Sequence, residues 1–214
     1  MFLSGLASSG FSLIRGFDPQ AASMDAARRL GDVDSVEGLG PVQTLTPQAL
    51  HEASPNTYSG NFGRSSFPLH TDLAHWARPP RYVALRCIHG APHVATLVLD
   101  GQALVASVGA DALRAALVQP RRPMRNGKQL LRLLEPCDLL RWDSLYIHPA
   151  SKMAASVCER VRVFLTCAQP LEITLLEPGD TLIIDNWRCL HGRSSATEDA
   201  GTRRIERVHL KELR

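Results

Sequence analysis

Short apolar runs in strand-like alternation, each closed by Gly, Pro, Asn or Asp, set the limits on what this chain can fold into. Val83, Leu85 and Cys87 alternate with Tyr82, Ala84 and Arg86 over residues 81–88. Residues 94–99 form a second short run ended by Asp100-Gly101, and the two together read as an antiparallel pair. Further strands are expected at residues 11–16, 130–134, 139–147, 173–176, 182–185 and 203–210. Helical spacing marks residues 21–30 after the start signal Asp18-Pro19, residues 47–53, residues 103–118 with a break near Gly109, and residues 154–167, where Val157, Val161, Phe164 and Leu165 share a face. Residues 55–63 read as a long loop. Strands in that number, with helices in a few places only, predict a mainly β fold with flanking helices, a jelly-roll or sandwich rather than an alternating α/β sheet. Two small sheets leave one open mouth, where a ligand or metal site belongs.

Composition narrows the function classes. The 214 residues are 44% hydrophobic and 21% charged, with 15 Gly and 14 Pro and no biased tract, which suits one domain over residues 1–214 and excludes a disordered or fibrous chain. The net charge of +3 is too small for a nucleic-acid footprint. Arg121, Arg122, Arg125 and Lys128 lie among prolines without interleaved aromatics and read as a solvated loop. The five cysteines, Cys87, Cys137, Cys158, Cys167 and Cys189, are odd in number and hold no C-x-x-C pair, so reduced, buried thiols are expected. The apolar start lacks a basic n-region and is interrupted by Arg15, against a signal peptide, and no run reaches the roughly 18 apolar residues of a membrane helix. A cytoplasmic protein with a small-molecule substrate and neither nucleic-acid nor membrane partner is the expectation.

Three places carry chemistry. In Phe67-Pro68-Leu69-His70-Thr71-Asp72 a His and a carboxylate stand two apart, so an extended backbone puts both on one face with Thr71 turned away. His191, in Asp185-Asn186-Trp187-Arg188-Cys189-Leu190-His191-Gly192-Arg193, is the best third ligand, since the following Gly leaves its approach open. Two imidazoles and one carboxylate make the facial triad of non-haem iron(II). An H-x-D tripeptide alone is weak, and a surface His with a helix-capping Asp outweighs it. Arg203 and Arg207 then share one strand face, with Arg204 opposite, and two guanidinium forks aimed together suit a carboxylate ligand.

In order and spacing these blocks resemble the 2-oxoglutarate and iron(II)-dependent dioxygenases of the taurine dioxygenase and clavaminate synthase-like group. Arg15-Gly16-Phe17, the segment from Phe67 to His75, Ala95-Thr96-Leu97 before Asp100-Gly101, Leu140-Arg141-Trp142-Asp143, the block from Glu177 to Arg193 and the strand from Arg203 to Arg207 carry the likeness. The resemblance implies a double-stranded β-helix with His70, Asp72 and His191 as iron ligands. It implies that Arg203 and Thr96 hold the distal carboxylate of 2-oxoglutarate, and that Arg207 serves the co-substrate or an acidic group of the substrate. It further implies oxidation, first of all hydroxylation, of a C–H bond in a small carboxylate-bearing or amino-acid-derived substrate, using O2 and releasing succinate and CO2. The 121 positions between His70 and His191 imply a shortened lid. Tyr58, Asn61, Phe62 and Trp76 flank the metal motif as candidate pocket residues. His75 reads as an outer neighbour of the site or a surface residue, and His51, His89, His93, His148 and His209 as structural. A non-catalytic jelly-roll that binds a ligand is the alternative, followed by an AlkB-like nucleic-acid demethylase.

Overall fold

Alternation decides which face each strand buries, and the chain uses it to build two sheets with a core between them. The computed structural model describes residues 2–122, 127 and 129–214. Among these residues the major sheet runs in the order β1 (Phe11–Ile14), β11 (Thr181–Asp185), β5 (Tyr82–His89), β13 (Arg204–Leu213) and β2 (Gly31–Val33), with β3 (Gln43–Leu45) also on β13. The minor sheet runs β10 (Leu171–Ile173), β6 (Thr96–Asp100), β12 (Cys189–Arg193) and β4 (Phe67–His70). A third, short sheet joins β8 (Leu131–Arg132), β7 (Leu117–Pro120) and β9 (Ile147–Pro149). Val83, Leu85 and Cys87 of β5, Leu182 and Ile184 of β11 and Ile205 of β13 meet Val98, Ile173 and Cys189 of the minor sheet.

The residues between these point outward and are covered in turn. Leu6 of α1 (Phe2–Ser9) and Ala27 and Leu30 of α2 (Ser23–Leu30) cover Ala84, Ile183, Val208 and Leu210. Behind the minor sheet, Leu69 and Leu190 pack on Leu104 and Val108 of α4 (Gly101–Val108), Leu113 of α5 (Ala110–Ala115) and Val157 and Val161 of α6 (Lys152–Cys167). Burial on both faces explains the near-continuous apolar character of β5 and β11. Caps set the helix starts: the Asp100 carboxylate accepts the Gln102 N–H, and the Ser151 hydroxyl accepts that of Ala154. The result is a jelly-roll with flanking helices.

Several expected elements differ. The runs 81–88 and 94–99 become β5 and β6, but they lie in opposite sheets, because the chain crosses over between them. Residues 139–147 form no continuous strand. Their backbone groups go to separate partners: Leu140 N–H to Trp187, Arg141 N–H to Leu133, and the Trp142 carbonyl to Thr71 N–H. Residues 47–53 form no helix: 47–49 are irregular with Pro47 buried, and a turn over 50–52 leaves Leu50 exposed, whereas the loop expected at 55–63 holds the short helix α3 (Tyr58–Phe62), capped by Thr57. The helix after Asp18-Pro19 starts only at Ser23, since the Arg86 guanidinium claims the Phe17, Asp18 and Ala21 carbonyls. β10 ends at Ile173 because the Leu176 and Glu177 N–H groups turn to the Asp180 carboxylate. α1, β2 and β3 have no counterpart among the expected elements, and residues 117–118, expected to close the 103–118 helix, open β7 instead. Cys87, Cys158 and Cys189 are buried, but Cys137 and Cys167 are exposed, and all five are free thiols. Of the basic stretch, Arg121 and Arg122 are exposed, while Arg125 and Lys128 lie outside the described residues.

Candidate metal centre

His70 ends β4, an edge strand of the minor sheet, directly across from His191 on β12. The register slips between His191 and Arg193, where Pro68 sits on the β4 side. Proline suits an edge strand with a bulge, because it gives no ladder hydrogen bond. The Pro68 carbonyl is then free to accept the Nδ1–H of His70 at 2.9 Å, which leaves Nε2 as the lone-pair nitrogen facing the cavity. Gly192 lets β12 approach β4, since a Cβ there would stand 2.6 Å from the Phe67 carbonyl oxygen.

Beyond β4 the chain turns sharply, with Leu73 at φ +56°. Asn186 fixes that turn: its side-chain oxygen accepts the Asp72 N–H at 2.6 Å and its amide donates to the Asp72 and Pro80 carbonyls. Thr71 points the other way, fully buried, and binds the Trp142 backbone. Asp72 Oδ1 therefore stands 3.6 Å from His70 Nε2 and 3.5 Å from His191 Nε2. One donor atom from each of the three lies within 4.8 Å of the others, and all three residues are buried. A carboxylate and two imidazoles clustered in this way fit a divalent first-row metal ion.

The electrostatics follow from burial and company. Burial disfavours charge on Asp72, yet Arg207 and the three histidines His191, His209 and His70 hold its carboxyl well below the usual range. Burial pushes His191 down, toward the neutral, ligating form. For His70 burial acts the same way, but hydrogen bonding to Asp72 and the nearby carboxylates outweigh it and raise its pKa.

A cavity of about 820 Å³ opens onto the triad, lined among others by Thr96, Arg193, Arg203, Ile205 and Arg207. Arg203 is 5% exposed and its Nε has no partner; burial lowers its pKa to about 10. A buried guanidinium N–H without an acceptor, on a cavity wall, suits an anionic ligand. Thr96 of β6 lies buried opposite Arg193, so both are on the same wall. Arg207 reaches Asp72 instead of standing free: Nη1 donates to both carboxylate oxygens at 2.9 Å, and Nε and Nη2 donate to Gln43. Arg204 is exposed and pairs with Glu206.

Of the candidate pocket residues, Tyr58 and Trp76 line the cavity. Tyr58 stacks on the His70 ring at 4.1 Å between centroids. Asn61 and Phe62 are not on the wall. The Asn61 amide donates to the Pro55 and Thr57 carbonyls, and Phe62 packs behind Tyr58 and against Phe67. His75 is on the wall with its ring 5.4 Å from Tyr146.

Among the residues of the site that escaped the sequence reading are His209 and Arg193. His209, read as structural, is 2% exposed and puts Nε2 3.0 Å from Asp72 Oδ2. Arg193 donates to the Gly63 and Ser65 carbonyls, lies over the Phe67 ring at 3.9 Å, and keeps an unpartnered Nε. Both stand two residues beyond a recognised site residue, Arg207 or His191, and strand alternation alone points to them.

Among known proteins, the profile of the taurine catabolism dioxygenase TauD, TfdA family matches residues 2–119, a span that includes His70, Asp72 and Thr96. No curated protein matches the chain in sequence. In fold the chain is similar to an asparagine oxygenase solved with Fe(II), 2S,3S-3-hydroxyasparagine and succinate, with a TM-score of 0.75 and 21% identity over 98% of this chain and 77% of that one. It is also similar to PvcB from Pseudomonas aeruginosa (TM-score 0.64, 22% identity, 97% of this chain and 78% of that one). A third such structure is the non-haem iron oxygenase OrfP with Fe, succinate and (3S)-hydroxy-L-Arg (TM-score 0.67, 21% identity, 98% and 78%). At such identity the likeness speaks for the fold, and it runs the length of the chain. With the profile spanning more than half of its residues, the chain belongs to the TauD, TfdA family of dioxygenases.

Proposed function

We propose that this protein is an iron(II)- and 2-oxoglutarate-dependent dioxygenase that oxidises, by hydroxylation, an aliphatic C–H bond of a small amino-acid-derived or carboxylate-bearing substrate, with succinate and CO2 as co-products. The observation that carries the reading is the buried cluster of His70, Asp72 and His191 on the wall of the cavity. When bound there, iron with 2-oxoglutarate and O2 supplies the oxidising power for C–H cleavage.

The chain's own residues hold and shield that chemistry. His70 and His191 offer neutral nitrogens and Asp72 one negative oxygen, so these three residues would hold an iron(II) ion. Pro68, Asn186 and His209 keep those donors in place. Arg203, with Thr96 beside Arg193, receives the distal carboxylate of 2-oxoglutarate in a buried, water-poor pocket where a charged hydrogen bond is strong. Arg207 steadies Asp72 and is itself held by Gln43. Tyr58 and Trp76 form apolar walls that limit water at the reacting bond. The amino-acid class of substrate is supported by the products bound to asparagine oxygenase and OrfP. No helix among the described residues is long and apolar enough to cross a membrane. Five free thiols suit a cytoplasmic setting, which belongs to this proposal. A partner in nucleic acid finds no support in the net charge of +3.

The test is an anaerobic titration of the metal-free protein with iron(II) and then 2-oxoglutarate. A visible charge-transfer band in the wild type that is lost in His70→Ala supports the reading. Protein that binds no iron and shows no band points to the non-catalytic ligand-binding alternative. In the same assay Arg203→Ala is expected to raise the 2-oxoglutarate concentration for half-formation of the band by roughly 10- to 100-fold, the worth of a buried charge-assisted hydrogen bond. An unchanged midpoint would remove Arg203 from the co-substrate site.

A further inference from the structure

The cavity wall carries a second buried carboxylate, and among the described residues no Lys or Arg pairs with it. Asp143 is 2% exposed and lines the cavity with Tyr58, Tyr146, His75 and Trp76. Its Oδ1 accepts the backbone N–H groups of Leu145 and Tyr146 at 2.7 and 3.0 Å, and its Oδ2 accepts the Tyr58 hydroxyl at 2.8 Å. All three donors are neutral. Among the described residues no ion pair includes Asp143, whereas Asp72 is surrounded by Arg207 and three histidines. Burying a carboxylate costs several kcal/mol unless a counter-charge or donors compensate. A carboxylate accepts about four hydrogen bonds, so three donors leave room for one more on the cavity side.

The surroundings say what would fill it. Burial and Asp143 push the Tyr58 hydroxyl far up, so it stays a donor and cannot share the negative charge. Tyr146 and Trp76 add aromatic rings to the same wall, which suit a neighbouring cation. Arg193 and Arg203 line the same cavity, and Asp143 is bonded to Tyr58, whose ring stacks on His70. Resting on the oxygenase reading above, we infer that Asp143 is a specificity residue that receives a positively charged amine of the prime substrate. The substrates are then primary amines, and purely anionic acids of similar size are poor ones. A satisfied turn-capping carboxylate alone would account for the two backbone contacts, but not for a carboxylate on the cavity wall that meets only neutral donors among the described residues.

The test uses the iron-loaded protein with 2-oxoglutarate and a panel of L-amino acids, their N-acetylated forms and the corresponding deaminated acids, reading succinate release. Nα-acetyl- and Nε-acetyl-lysine separate a backbone amine from a side-chain amine. The expected result is that free amines stimulate turnover and that acetylation of the recognised amine lowers kcat/KM at least about tenfold, as for loss of a close charge pair. Asp143→Asn, which keeps one oxygen for the turn, is expected to erase the difference between an amine and its acetylated form. Equal stimulation by amines, acetylated forms and deaminated acids in the wild type overturns the proposal without recourse to a variant. So does discrimination that persists in Asp143→Asn, or a normal iron–2-oxoglutarate band with no response to any amine. If the band itself is absent in the wild type, the oxygenase reading fails first and this proposal with it.

Discussion

Replacing His191 by Ala is expected to lower iron(II) affinity by more than about 100-fold, beyond the 10- to 100-fold that loss of an outer partner costs a metal site. His191 gives one of the three donor atoms that lie within 4.8 Å of one another. The fold should survive, because the chain on either side of His191 is held by independent features: Leu190 packs into the outer core and Gly192 faces β4. The measurement is metal content after anaerobic equilibrium dialysis, with circular dichroism as the control for folding. One tightly held iron in His191→Ala would refute the assignment of the centre.

The second large effect is on stability. Arg141 is 0% exposed, and all five of its guanidinium N–H directions are used. It donates to the Arg132, Ala74, Trp76 and Ala77 carbonyls and to the Glu135 carboxylate. A Met of similar length leaves four carbonyls without that donor in a place water reaches poorly, at about 1–3 kcal/mol each where no relaxation helps. Arg141→Met is therefore expected to destabilise the protein by about 4 kcal/mol or more, lowering Tm by roughly 8–16 °C for a chain of this size. Since Trp76 borders the cavity, weaker substrate binding should accompany the loss. A Tm within 3 °C of wild type, by calorimetry, would show that solvent or another side chain takes over these carbonyls.

What the sequence discloses, it discloses through periodicity. His70 and Asp72, two apart, and His191 before its glycine could be picked out because a strand repeats every two residues. The same rule reaches Arg193 and His209, but nothing local separates a histidine that props a ligand from one that fills a core; only the 3.0 Å contact with Asp72 does. Strand runs at β5, β11 and β13 were readable, whereas their partners were not. Pairing β5 with β6 is the natural local choice, and the actual neighbours of β5 come from far along the chain. The 139–147 stretch misled because Leu139, Leu140 and Trp142 are as apolar as a strand, while Arg141 and Asp143 serve loops on either side. Asn61 and Phe62 looked like pocket residues by proximity in sequence, but a single turn of helix rotates them off the wall.

The position of β5 bears on how the chain is made. Both of its neighbours, β11 and β13, lie about a hundred positions later, so during synthesis an apolar strand emerges with both edges bare. At ribosomal speeds of about 5–20 residues per second that interval lasts roughly 5–20 s, long on the scale of strand-to-strand encounter between nascent chains. The architecture that brings His191 across to His70 thus leaves β5 unpaired while it is incomplete, and slower translation is expected to lower, not raise, the yield of native protein.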